Sequence, residues 1–98
     1  MNNIHQALIS VVIPTFNHAE FIRKSVSSVL NQTYKNFEII IVDNHSADHT
    51  KEVIDSFRDP RIKYHKINNN GVIASSRNKG INKSSGEWIA FLDSDDFW

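Results

Sequence analysis

The run Phe37-Glu38-Ile39-Ile40-Ile41-Val42 constrains the fold of this chain more than any other stretch. It is β-branched and apolar at nearly every position. A strand of that kind hides both faces, as strands of a parallel sheet do. The rest of the chain alternates in step with it. Leu8-Ile9-Ser10-Val11-Val12-Ile13 reads as a first buried strand, stopped at Pro14. Asn17 offers a helix cap with Glu20 three residues on, and Phe21, Ile22, Val26, Val29 and Leu30 follow at helical spacing until about Asn31-Gln32-Thr33. After the second strand, Ser46 can cap a helix over 48–57 with Val53, Ile54 and Phe57 inward, broken at Asp59-Pro60.

Arg61 to Ile67 alternates weakly and reads as a third strand at an edge. Asn68-Asn69-Asn70-Gly71 is a turn signal. Val72 to Lys83 reads as a helix with Ile73, Ala74 and Ile81 on one face, ended by Ser84-Ser85-Gly86, and Trp88 to Leu92 as a fourth strand. The order β-α-β-α-β-α-β predicts an α/β fold, a mostly parallel sheet with flanking helices.

Composition narrows the function. Lys plus Arg and Asp plus Glu number 11 each among 98 residues, so the chain lacks the positive balance of a nucleic-acid binder. The absence of Cys excludes a disulfide framework and a thiolate zinc site. The start, Met1 to Gln6, is neither basic nor apolar, and apolar runs stop at five residues, far from the ~20 of a membrane span.

In open parallel sheets, ligands sit outside the carboxyl ends of the strands. Three polar loops fall there: Pro14-Thr15-Phe16-Asn17, Asp43-Asn44-His45-Ser46 and Asp93-Ser94-Asp95-Asp96. Carboxylates this close repel unless a cation neutralises them, and oxygen-only ligands select hard cations such as Mg²⁺, Mn²⁺ or Ca²⁺. The last loop therefore suggests a metal-bridged diphosphate. Phe16 could stack a ring, and Asp43 or Asn44 could read a base edge or a ribose hydroxyl. Plainer readings stand beside these: a solvated turn for the Asp cluster, helix caps for Asn17 and Ser46, core for Phe16. No Gly-x-Gly-x-x-Gly follows a strand, and neither a phosphate-binding Gly-x-x-x-x-Gly-Lys-Ser/Thr loop nor a Gly-x-Ser-x-Gly elbow occurs. His45 and His49 have no third partner for zinc.

Five motifs, in order, resemble the family-2 glycosyltransferases: Val11-Val12-Ile13-Pro14-Thr15-Phe16-Asn17; Ser27-Ser28-Val29-Leu30-Asn31-Gln32-Thr33; Glu38 through Asp48; Ser76-Arg77-Asn78-Lys79-Gly80-Ile81; and Gly86 through Asp96. The resemblance implies the front half of a GT-A fold, a Rossmann-like sheet of four strands with three helices. It implies sugar transfer from a nucleotide-diphospho-sugar to an acceptor hydroxyl, usually inverting and dependent on Mn²⁺ or Mg²⁺. It matches Asp93-Ser94-Asp95 to the family's Asp-x-Asp, with Asp95 at the metal and Asp93 helping with the ribose or the metal. Thr15 and Phe16 match the family's residues around the uracil, where Tyr is commoner than Phe, and Pro14 and Asn17 flank them in the implied nucleotide-binding set. Arg77 matches an Arg of the nucleotide pocket, and its plainer reading is a helix-surface Arg.

One departure bears on the base. The family often has Asp-Asp where this chain has Asp43-Asn44, and its second Asp often holds the base imide. An Asn oxygen can accept that N–H, and a different base is the alternative. The implied donor is a UDP-sugar, or a dTDP-sugar. The acceptor is a carbohydrate or lipid-linked hydroxyl, and the place is the cytoplasm or the inner membrane face. No residue matches the family's general base. Residues 1–98 thus read as the donor-binding part of a transferase domain cut short, with a non-catalytic nucleotide-binding remnant or interaction module as the second reading. An exposed edge at the fourth strand would favour self-association.

Overall fold

The computed structural model describes residues 6–98. The first five residues, read above as neither basic nor apolar, lie outside the described residues. Seven elements follow the expected order: β1 (Ile9–Thr15), α1 (Ala19–Leu30), β2 (Phe37–Asn44), α2 (Thr50–Ser56), β3 (Ile62–Ile67), α3 (Ile73–Lys83) and β4 (Trp88–Phe91). All pairings are parallel, in the order β3-β2-β1-β4.

The apolar run behaves as its composition demands. Ile39 and Ile41 face α1 and α2 together with Val11, Ile13, Ile22, Val26, Val29, Val53 and Ile54. Ile40 and Val42 join Val12 on the opposite face, toward α3. β3 lies at one edge as expected, and β4 at the other. No helix among the described residues is long and apolar enough to cross a membrane.

Four local expectations change. β1 runs through Pro14 instead of stopping there. β4 pairs with β1 only from Ile9 to Val12, so Pro14 has a strand on one side alone and its missing N–H breaks no ladder there. Asn17 does not cap α1; its backbone is left-handed (φ 51°), and its side-chain Oδ1 accepts from the Ala47 N–H at 2.7 Å. The Ala19 N–H at the start of α1 donates instead to the Asp48 carboxylate at 3.1 Å, so the cap comes from the next loop. That same carboxylate accepts the Thr50 N–H at 3.1 Å, so α2 starts at Thr50 and Ser46 caps nothing.

The fourth change concerns α3. Ile73, Ala74 and Ile81 are exposed, and the helix buries Ser76 and Gly80 instead. A Cβ at Gly80 would stand 2.3 Å from Val12 Cγ1, so α3 sits on the sheet at a distance that only a bare backbone permits. Periodicity picks the most apolar stripe, whereas close approach picks the smallest.

At the amino ends of the strands, the buried Glu38 carboxylate ties the sheet together. It accepts from Ser10 Oγ and the Ser85 N–H, each at 2.6 Å, and pairs with Lys63 at 3.3 Å. Burial works against its charge, but these donors outweigh it and hold the carboxyl below its ordinary value.

Candidate functional site

The strand order reverses at β1. β2 and β3 build outward on one side, and the chain then returns to place β4 on the other. A crevice opens at such a switch point, outside the carboxyl ends of the strands. Here it is a cleft of about 420 Å³.

The end of β1 supplies Pro14 and Thr15, Phe16 follows it, and β2 ends at Asn44. The β4 loop supplies Asp93, Ser94 and Asp95, and Arg77 comes from α3. Eight of the ten residues expected from the sequence therefore line one cleft. Asn17 and Asp43 do not.

Asp43 is 1% exposed and does not line the cleft. Its carboxylate accepts from the Ser46 N–H at 3.0 Å, the Ser46 hydroxyl and the Tyr64 hydroxyl. Burial, and then its hydrogen bond to the Asp43 carboxylate, push the Tyr64 hydroxyl above its ordinary value, which keeps it a proton donor. Ser46 Oγ in turn accepts the Asn17 N–H at 2.8 Å. Asp43 thus sets the position of the loop beside Phe16 through Ser46 and Asn17. Phe16 itself leaves 52% of its surface open on the cleft wall, which excludes the reading of Phe16 as core.

Thr15 is unusual. It is 4% exposed, lines the cleft, and its Oγ1 is the buried side-chain polar atom without a hydrogen-bond partner among the described residues. Buried hydroxyls are nearly always satisfied, because an orphan costs about 1–3 kcal/mol.

The acidic loop is held from behind. The Ser25 hydroxyl reaches the Ser94 carbonyl at 2.7 Å and also the Asp96 carbonyl. His18 Nδ1 lies 2.6 Å from Ser94 Oγ. The Asp96 N–H closes a turn onto the Asp93 carbonyl at 2.9 Å. In this turn Asp93, Asp95 and Asp96 each offer a carboxylate oxygen within 4.8 Å of the others, all exposed. Arg77 Nη2 stands 3.8 Å from Asp93 Oδ1, a long, open pair that leaves the guanidinium free to turn toward an anion.

Sequence reasoning missed His18, Ser25 and Asn69. Ser25 carried a signal, a polar residue on the apolar stripe of Ile22, Val26 and Val29. His18 carried none, since its partner is 76 positions away. Asn69 read as a turn residue. It is buried, its side chain accepts from the Gly71 N–H at 2.8 Å and donates to Ser76 Oγ at 3.0 Å, and its own N–H donates to Asn44 Oδ1 at 2.8 Å.

Known proteins are similar to this chain in sequence and in fold. A family model described as glycosyl transferase family 2 matches residues 10–98. The UDP-Glc:alpha-D-GlcNAc-diphosphoundecaprenol beta-1,3-glucosyltransferase WfgD of Escherichia coli is 42% identical over 91 residues, covering 93% of this chain and 36% of that protein. The structure of S. aureus TarS 1-349 in complex with UDP-GlcNAc superposes with a TM-score of 0.84 at 30% identity, over 91% of this chain and 27% of that one. Mannosyltransferase PcManGT of Pyrobaculum calidifontis, solved with GDP-Man and Mn²⁺, shares the fold with a TM-score of 0.85 at 23% identity, over 96% of this chain and 29% of that one. The chain spans between 14% and 38% of the length of the curated relatives it matches.

Proposed function

This chain belongs to glycosyl transferase family 2, and we propose that it forms the donor-binding part of a metal-dependent, inverting transferase acting on a nucleotide-diphospho-sugar. The observation that carries the reading is the cleft at the β1 switch point. It gathers an aromatic face, a polar base-reading position, a cation and a carboxylate cluster within one volume of about 420 Å³.

The parts divide as follows. Phe16 stacks the base, and Thr15 and Asn44 read its edge or the ribose. Arg77 neutralises the diphosphate. Asp93 and Asp95, oxygen donors that suit a hard cation, would hold Mn²⁺ or Mg²⁺, and Asp96 lies within reach of the same point. Such an ion, when bound, supplies positive charge against the leaving diphosphate. The residues of the chain then bind, orient and screen. Asp43 and Ser25 are positioning residues, since they hold the loops and do not line the cleft, whereas His18 both lines the cleft and holds Ser94.

A UDP-sugar donor is favoured by the UDP-GlcNAc held by the TarS neighbour, with a dTDP-sugar as the alternative. A lipid-linked acceptor is suggested by the diphosphoundecaprenol in the WfgD name, and in this reading the chain works in the cytoplasm or at the inner membrane face. The acceptor site and the general base belong, in this reading, to further parts of the transferase domain. Residues 1–98 are its donor-binding portion.

The orphan hydroxyl gives the test. Thr15→Val keeps the shape and removes Oγ1. UDP affinity in Mn²⁺ should fall about tenfold while the melting temperature holds or rises, because a buried unsatisfied group is removed. Unchanged affinity with a lowered melting temperature would assign Thr15 to the fold alone.

The reading includes self-association. Trp88 is 68% exposed and Phe91 45%, on a strand whose outer edge is unpaired among the described residues. Exposed apolar edges recruit other chains. Light scattering of this chain should give a mass above the monomer, and a monodisperse monomer would contradict it.

A further inference from the structure

The carboxamide of Asn44 has a fixed polarity. The atom 2.8 Å from the Asn69 N–H must be its oxygen, because a backbone N–H can only donate. The partner does not yield easily: Asn69 is itself buried and held on both sides, by the Gly71 N–H and by Ser76 Oγ. Turning the Asn44 amide over would set N–H against N–H. Oδ1, tied to Asn69, keeps one further lone pair, and the end with no protein partner at all is Nδ2 with its two donors. It bonds to no protein group among the described residues, and it is not a buried orphan, a condition met there by Thr15 Oγ1. It is therefore open to solvent or to a ligand, at a residue that lines the cleft.

We propose that Asn44 reads the donor's base by donating from Nδ2 to a ring acceptor, a carbonyl oxygen or an unprotonated nitrogen, rather than by accepting the imide N–H. The proposal rests on the reading of this cleft as a nucleotide site with its base end at Phe16 and Asn44. An aspartate at position 44 would present two acceptors: one would take the Asn69 N–H and the other would face the ligand. Asparagine at that position reverses the outward polarity. The selected ligand class is then any base with an acceptor at that edge, and the imide proton of uracil contributes little.

The probes are UDP and N3-methyl-UDP, which keeps both carbonyls and loses the imide proton. Each is titrated calorimetrically in saturating Mn²⁺ into the chain and into Asn44→Asp. The ratio of the two affinities is taken within each protein. That cancels any general loss from the added carboxylate, and a steric penalty of the methyl group appears in both. The introduced carboxylate would still accept the Asn69 N–H, so the loop keeps its bond. The methyl penalty should be at least about tenfold larger in Asn44→Asp than in the unaltered chain, the worth of one hydrogen bond with a well-placed partner. A smaller difference overturns the proposal. Should the variant not fold, the unaltered chain decides: a penalty below about threefold supports the proposal and a larger one overturns it. If no nucleoside diphosphate binds at all, the donor-site reading falls and takes this inference with it. UDP binding with equal penalties overturns this inference alone.

Discussion

Asp95→Asn should leave the fold intact and make UDP binding indifferent to Mn²⁺ and Mg²⁺. Asp95 is exposed on the turn after β4, where substitutions ordinarily move stability by no more than about 0.5 kcal/mol. The asparagine keeps the shape of the side chain and removes its charge. An amide oxygen is a weak replacement for a carboxylate toward a hard divalent cation. Loss of a group that merely supports a metal ligand typically costs 10–100-fold in metal affinity, so loss of the ligand itself should cost about a hundredfold or more. In calorimetry, the variant should bind UDP equally in Mn²⁺ and in EDTA, at the weak level of the unaltered chain without metal. A variant that still gained affinity from Mn²⁺ would remove Asp95 from the metal site.

The largest effect on stability is expected at Gly86. A Cβ there would stand 2.6 Å from Ser10 Oγ, 2.7 Å from the Leu8 carbonyl oxygen and 2.7 Å from the Ser10 nitrogen. Two of those atoms belong to the backbone of the segment that starts β1, which β2 holds from its other side. The contact cannot be relieved by a side chain swinging away. The Gly86 N–H also donates to Ser10 Oγ at 2.8 Å, and Ser10 donates onward to the buried Glu38. Gly86→Ala should therefore part β4 from β1 and disturb the Glu38 cluster at once. A cost of about 3 kcal/mol is expected, at the upper end for overpacking. For a chain of this size that lowers the melting temperature by roughly 12–24 °C. A thermal melt within about 4 °C of the unaltered chain would show that the backbone yields here.

Much of this fold was legible because its strongest signals are local. The apolar run at β2 dictates two-sided burial, and the alternation of runs with helical spacing dictates parallel crossovers. What was not legible depends on partners far along the chain. Asp48 caps two helices, one of them 29 positions back, and so displaces Asn17 and Ser46 from roles their own neighbours suggest. α3 turns Ser76 and Gly80 inward because the approach to Val12 leaves no room for isoleucine. The site follows the same rule. Residues on strand ends were found from topology, since all strand ends of a parallel sheet share an edge. Asp43 has the expected position but faces inward, toward Tyr64 and Ser46, because a strand alternates its sides. His18 and Ser25 meet the acidic loop, and Asn69 meets Asn44, across separations that no spacing rule covers.

The central claim is that the β1 switch-point cleft takes a nucleoside diphosphate together with a divalent cation. Calorimetric titration of UDP into the unaltered chain, once in Mn²⁺ and once in EDTA, tests it most directly. Saturable binding at one site per chain in Mn²⁺, weakened by about a hundredfold in EDTA, is the predicted result. Equal affinity in both, or no binding in either, would contradict it.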